Sequence, residues 1–451
     1  MDLDFIHYAY IIFLIISLFV MFCKKSIVPV CIVGIFSIGL IFTGNLFDSI
    51  SILYNSVLMA TSDLLGVILI ISIVVSMSEA LSQIGTMEYM LQPFKKIFIS
   101  PIISFLILGI ITLIFSWFMW PTPAIMLIGA ILIPAALKSG LPKIWIASCI
   151  SLFGYALGLS IDFIISGAPA ITASSTSITT ANIIKASFPL WISFAIGIII
   201  TSIILLIKDK NNFTKENIVI EKSSIKNKKV ALLFAILTPI LFIIDIFIIW
   251  KNNLIGGDAT ALIGGTSLSI IILSTILSNN RFNSFEKIEK YLKNGFKFGF
   301  KIFVPVIFIS AFFFLGNGEF ATKILGENSP NILSDIGLYL STVVSLSKGI
   351  VISFVALIGG IAGFDGSGFS GLSLVGNISQ TFGTITEFKV SSLAAFGQIV
   401  TITVGGGALI PWAVIPVAAI CNVDPIKLVK HNLLPIIVGF ICMFTTMLII
   451  L

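Results

Sequence analysis

The chain predicts an all-α, polytopic membrane protein, and three features carry that prediction. Of its 451 residues, 57% are hydrophobic and only 10% charged, with a mean hydropathy of +1.15, a composition that leaves no soluble domain to look for. The apolar residues gather into runs near 9–23, 28–46, 64–83, 97–119, 143–163, 188–207, 230–250, 257–278, 302–316, 345–363, 391–415 and 432–451. With about 20 apolar residues needed per crossing, these runs amount to about twelve transmembrane helices, with shorter apolar segments between them. The net charge of +6 sits mostly in loops. It reads as a topology signal, so the expected partner is the lipid bilayer of a cell membrane and no nucleic acid.

The start, Met1-Asp2-Leu3-Asp4, lacks the basic region and small-residue cleavage site of a signal peptide, so the first apolar run is expected to persist as a helix. Cys23, Cys31, Cys149, Cys421 and Cys442 make no CxxC or metal-binding spacing and read as small packing residues. A second helix follows the Lys24-Lys25 pair and leads into TGNLFDSI, 43–50. A similar run, SNNRFNSF at 278–285, aligns Thr43 with Ser278, Asn45 with Asn280, Phe47 with Phe282 and Ser49 with Ser284. The chain therefore reads as duplicated: a first repeat over 1–207, a lysine-rich cytoplasmic linker over 208–229 and a second repeat over 230–451. In each repeat a weakly amphipathic stretch and a long apolar helix come next, ending at Ser78-Glu79 and at Asn317-Gly318-Glu319.

Each half then meets a polar, helix-breaking knot: WPTPA at 120–124 and the glycine-rich GIAGFDGSGFSG at 360–371. Such segments are tolerated at membrane depth only when buried in protein or lining a wet cavity. Re-entrant hairpins are expected over 121–138 and 364–383, and beyond Lys143 or Lys389 comes a helix that loses regularity midway. The breaks read GYALGLSIDF, 154–163, and TITVGGGALIP, 401–411, inside broken helices over 143–175 and 391–421. Matching Gly/Pro-interrupted segments in two halves are the best sequence pointer to a secondary transporter's binding site. The plainer reading is that these residues only kink or pack membrane helices.

Loop charges bear on how the halves are related. The loop from Asp48 to Asp63 has acids and no lysine, whereas its counterpart holds Arg281, Lys287, Lys290, Lys293 and Lys297, so the positive-inside rule favours an inverted repeat. Inversion needs an odd number of crossings per half. The apolar runs give six, and the count closes only if each broken helix crosses as two pieces.

Knot, short apolar hairpin and interrupted helix, twice over, resemble the ion transporter superfamily, which includes lactate, gluconate, citrate and C4-dicarboxylate permeases and some sodium/proton antiporters. Locally, PTPAIMLIGAILIPAALKSGLP resembles the first hairpin of lactate-permease-like members and GFDGSGFSGLSLVGNI the second. The resemblance implies two inverted repeats, a homodimer, and a substrate domain that moves against a scaffold like an elevator. Carried over residue by residue, it puts hairpin-apex contacts on Thr122, Ser367 and Ser370, with Pro123 and Gly368 beside them, and broken-helix contacts on Ser160, Asp162, Thr401 and Thr403. The Ser-Asn-Thr or Ser-Asp-Thr triplets common at those apices are absent from this chain.

The residues also argue chemistry without the resemblance. Half-helix N-termini present unpaired N–H groups and partial positive charge, which suit a carboxylate or another small anion. Unwound carbonyls, hydroxyls and a carboxylate suit Na⁺, and the same carboxylate can carry a proton instead. Asp365 fits this ion-coupling role, with Na⁺ placed near Asp365, Thr403 and Gly405; it equally fits a helix cap. Asp162 is the second candidate carboxylate. No cofactor beyond Na⁺ or H⁺ is implied. Glu79 and Glu319 read as surface helix ends, and Lys348 as an interfacial residue whose charge reaches for the headgroups.

Two enzyme readings compete. Gly368-Phe369-Ser370-Gly371 matches the short GxSG of intramembrane serine proteases, which need a histidine at membrane depth, and both His7 and His431 read as unburied. Two membrane aspartates invite an aspartyl-protease reading, yet Gly363-Phe364 precedes Asp365 where such enzymes show Gly-x-Gly. Neither reading explains the duplication. The expectation is therefore a secondary active transporter for a small anionic solute and no enzyme, with a cation/proton antiporter of the same superfamily as the alternative and a channel as the remaining class.

Overall fold

The computed structural model describes residues 3–23, 25–91, 97–119, 121–209, 213, 227–252, 254, 257–278, 281–316, 318–343, 346–365, 368–369, 371–411 and 413–451. The first half holds α1 (Phe5–Phe22), α2 (Val28–Thr43), α3 (Leu46–Gln83), α4 (Thr86–Leu91), α5 (Pro101–Met119), α6 (Pro121–Lys138), α7 (Lys143–Ser151), α8 (Gly167–Ser174) and α9 (Thr180–Lys208). The second holds α10 (Lys228–Asn252), α11 (Gly257–Ser278), α12 (Arg281–Phe314), α13 (Gly318–Leu325), α14 (Ile332–Val343), α15 (Lys348–Ala362), α16 (Leu372–Thr386), α17 (Val390–Thr403), α18 (Ile415–Cys421) and α19 (Pro425–Ile450). No strand occurs among the described residues.

Local sequence explains where these helices start and stop. Asn45 caps α3 by accepting the Phe47 N–H at 2.9 Å, and Asp424 caps α19 by accepting the Lys427 N–H at 2.9 Å, with Pro425 in the first turn where its missing N–H costs nothing. Gly44, at φ 64°, ends α2 in the left-handed conformation a side chain resists. The amphipathic stretch and the apolar helix expected as two pieces run on as one: α3 has 38 residues and α12 has 34. At 1.5 Å per residue both exceed the roughly 30 Å hydrocarbon thickness, so their amphipathic ends project past it.

Among the described residues eight helices are long and apolar enough to cross a membrane: α3, α5, α9, α10, α11, α12, α17 with its following turn, and α19. Four shorter apolar helices accompany them, α1, α2, α15 and α7 with its following turn. Along α9, Ile192, Ile196, Ile200 and Ile204 form an outward stripe exposed by 50, 51, 53 and 49%, a face that water would penalise and hydrocarbon accepts. Burial ranks the helices: 83% of the most apolar window of α17 is inside the protein, against 22% for α10. The interrupted helix is the core, and α10 is the periphery.

The closest helix crossings use small residues, as membrane packing favours. α3 lies along α12, where side chains on Gly295 and Gly299 would run into Ser76 and Ser72. α9 lies along α19, where a Cβ on Gly197 would come within 2.7 Å of the Gly439 Cα. α8 packs on α16, and α18 packs on α6.

Three expectations change. Residues 121–138 form the single helix α6, which packs back against α5, so the reversal falls at the knot rather than within 121–138. His7 is buried, 4% exposed, and its Nε2 lies 3.2 Å from Asp335 Oδ2, joining α1 to α14; packing of α14 against α1 hides a residue that looks terminal in the sequence. Glu79 does not end its helix: α3 continues to Gln83, and the Glu79 carboxylate accepts the Asn294 amide N–H at 2.8 Å.

Candidate functional site

The site is built on two interruptions. After α7 the backbone widens into π-helical turns over Leu152–Leu159, and after α17 into a second set over Val404–Ala408. Single π turns within α-helices are rare and concentrate at functional sites. In the second set Gly405-Gly406-Gly407 remove the side chains that would stiffen the helix, and Gly407 sits at φ 126°, ψ 24°, a conformation open in practice to glycine alone.

The two interruptions pack against each other. A Cβ on Gly407 would lie 2.8 Å from the Tyr155 ring, so the ring of the first break fills the space that the missing side chain of the second leaves. Breaking a helix frees carbonyls, and at membrane depth each needs a partner. Trp191 Nε1 donates to Leu157 O at 2.8 Å, and Gln398 Nε2 donates to Ser160 O at 2.9 Å. On the second break, Ser151 Oγ donates to Gly407 O at 2.7 Å and Asn432 Nδ2 to Ala408 O at 2.9 Å. Asn432 Nδ2 also donates to Ser151 Oγ at 3.0 Å, while Asn432 Oδ1 accepts from Ser148 Oγ at 2.7 Å. Thus α7, the second break and α19 are joined by one polar network across the centre.

The glycine-rich knot closes on the second break backbone to backbone. A Cβ on Gly405 would come within 2.5 Å of Gly363 O and 2.7 Å of Gly368 N. No side chain fits between these two segments.

Several buried polar atoms at the centre stay without a hydrogen-bond partner among the described residues: Gln398 Oε1, Thr403 Oγ1 and Ser116 Oγ. Gln398 and Thr403 are fully buried. Ser116, on α5, stands against the first break, where a Cβ on Gly158 would be 2.9 Å from its own Cβ. Buried polar atoms are ordinarily paired, and each exception asks for a reason.

Of the residues singled out from sequence, Ser160, Asp162, Thr401, Thr403, Gly368 and Gly405 are described and all are buried. Ser160 supplies its carbonyl to Gln398, and the hydroxyl turns back toward Leu157 O at 3.4 Å. Thr401 donates to Gly397 O at 2.8 Å within its own helix. Asp162, held at φ 34°, accepts the Ala168 N–H at 3.1 Å and so anchors the first turn of α8. Ser367 and Ser370 lie outside the described residues, as do the side chains of Thr122, Pro123 and Asp365. Among the described residues no group of three or more His, Cys, Asp or Glu side chains is placed to hold a metal ion.

Sequence reasoning passed over Gln398, Asn432, Ser148, Ser151, Ser116 and Tyr155. A signal existed for two of them. Gln398 is a lone amide inside the apolar run 391–415, and Asn432 is the lone amide at the start of the run 432–451; both are fully buried. His431 itself is partly buried, edge-on to Trp145 at 4.2 Å between ring centroids.

These features define a polytopic helical membrane protein whose centre is made from two interrupted helices. The chain belongs to the family of YhfA from Bacillus subtilis (strain 168), an uncharacterized membrane protein to which it is 36% identical over 447 residues, 97% of this chain and 96% of the relative. Coverage this complete takes in both interruptions. No protein-family profile matches the chain.

Proposed function

We propose that this protein is a secondary active transporter for a small carboxylate-type anion, coupled to Na⁺ or H⁺ and working by an elevator-like motion. One observation carries the reading: two interrupted helices face each other with their freed carbonyls satisfied, while the neighbouring Gln398 Oε1 and Thr403 Oγ1 remain buried and unpaired. Each such orphan costs about 1–3 kcal/mol unless a partner satisfies it, and here two of them stand beside the breaks, where a bound ion or solute would supply that partner. Amide and hydroxyl oxygens suit a cation, and the N-termini of the short helices suit a carboxylate. In this reading Thr403, Gly405 and the Asp365 carboxylate receive the coupling ion, with Asp162 the second carboxylate. The knots, with Thr122, Pro123, Ser367, Gly368 and Ser370, and the breaks, with Ser160 and Thr401, receive the solute.

The halves are read as inverted repeats of 1–207 and 230–451 joined by the linker 208–229. The pairing of α3 with α12, of α9 with α19, and of α8 and α18 with the opposite half's α16 and α6 supports that reading. In it α3 and α12 belong to the scaffold of a homodimer in the plasma membrane, and the knots and breaks form the moving block. The chain acts on its solute without chemistry, as a transporter and not an enzyme.

Uptake into proteoliposomes tests the proposal. A panel of labelled carboxylates is offered under separately imposed Na⁺ and pH gradients. Saturable accumulation above equilibrium that collapses with one gradient is the expected result. Flux that never exceeds equilibrium, or never saturates, would make the protein a channel or remove it from transport.

A further inference from the structure

We infer that the protein carries a site for an anionic phospholipid, separate from its centre, with the phosphate between Lys185 and Lys389 and an acyl chain in the crevice beside them. The crevice encloses about 520 Å³, within the roughly 300–1,000 Å³ typical of ligand cavities. It lies between α3, α9, α10, α11 and the turn that follows the first break, with Phe163, Phe188, Ile246 and Ile263 on its walls. Its outer helix α10 turns Ile243, Ile244 and Phe247 outward, exposed by 62, 45 and 54%, so the crevice borders hydrocarbon, where an acyl chain is the available occupant.

Beside the crevice lies a recess of about 250 Å³ lined by Lys185, Lys389, Asn182 and Ser391. Lys185 lines both spaces. The two lysines come from different halves, on the first turns of α9 and just before α17. The turn before α9 is tied to α16 by Ser177, whose N–H and hydroxyl both donate to Gln380 Oε1 at 3.0 and 2.9 Å. Both ammonium groups are on exposed residues with no ion-pair partner among the described residues. Asp63 also lines the crevice, leaving two cations against one acid. A cationic recess that shares Lys185 with an apolar slot matches a ligand with an anionic head and a hydrocarbon tail.

The site also sits where function would feel it. Its walls combine α3 and α11 with the segment 163–166 that leads out of the first break, so a bound lipid touches both. Binding itself is the readout, so the inference stands or falls apart from transport.

Native mass spectrometry of the full chain in detergent measures affinity for phosphatidylglycerol, phosphatidylcholine and inorganic phosphate. Phosphatidylglycerol should bind more tightly than phosphatidylcholine, and millimolar phosphate should fail to displace it. The Lys185→Gln/Lys389→Gln variant should lose about 25-fold in phosphatidylglycerol affinity, at roughly fivefold per lysine near an anionic headgroup. Gly66→Leu fills the crevice from α3 into open space, since a Cβ there meets nothing within 4 Å, and should weaken the lipid while leaving the lysines in place. All three altered positions are exposed, so the variants should elute as the wild type does in size exclusion. Equal binding of the two lipids, unchanged affinity in both variants, or displacement by phosphate alone would overturn the assignment, the last in favour of a free-anion site.

Discussion

Replacing Gln398 with leucine separates a centre kept for a ligand from one kept for stability. The change removes the Nε2 bond to Ser160 O, worth about 0.6 kcal/mol by the average for side-chain hydrogen bonds within membranes. It leaves Ser160 O without that donor, at a cost of about 1–3 kcal/mol. Against this, it deletes Oε1, an unpaired acceptor inside the protein, and recovers about 1–3 kcal/mol of the same kind. Leucine also fills much of the same volume with apolar surface. The terms nearly cancel, so Gln398→Leu should unfold in detergent within about 1 kcal/mol of the wild type. Counterflow of labelled solute in proteoliposomes should nevertheless fall by at least tenfold, because the atom offered to the ligand and the tie between the breaks are both gone. Normal transport by the variant would refute a ligand role for Gln398. A stability loss above about 3 kcal/mol would refute it equally, since Gln398 would then be an ordinary structural residue.

Asn432→Ala should behave in the opposite way: its three bonds to Ser148, Ser151 and Ala408 are all made, so its loss should cost about 2–3 kcal/mol, read as early thermal unfolding. In a double-mutant cycle with Ser148→Ala, coupling near zero would deny the network. Gly407→Ala should cost about 1–3 kcal/mol from its φ of 126° alone, with more from the Tyr155 ring; adding Tyr155→Ala should recover only the ring's share, and full recovery would show that the backbone is unstrained. Asp365→Asn keeps size and most capping ability, so gradient-driven accumulation should collapse while exchange and folding survive. Unchanged ion dependence in that variant would move the coupling role to Asp162. Single cysteines at Ser51 and Glu286, both exposed, in a cysteine-free background should react with an impermeant thiol reagent from opposite sides, whereas labelling from one side would mean a parallel duplication.

The sequence by itself determined the class and the places where regularity fails. Composition dictates lipid as the solvent, because 57% hydrophobic residues exceed what a water-facing surface can absorb. Gly154, Gly158 and Gly405 to Gly407 mark both interruptions, since glycine in a helix withdraws the side-chain and entropic support that keeps the turns regular. Tertiary structure decided what the interruptions do to each other. That Gln398 reaches Ser160 across 238 positions, and Asn432 reaches Ser148 across 284, follows from which helices pack together, and hydropathy carries no record of that. The same holds for His7, hidden by α14 through Asp335, and for α6, where a hydrophobic run with Pro134 inside it is one helix packed against α5 and α18. Periodicity and helix breakers act over a few residues, so they are legible in order along the chain. The partners of the freed carbonyls are supplied from 24 to 256 positions away, and only the packed fold selects them.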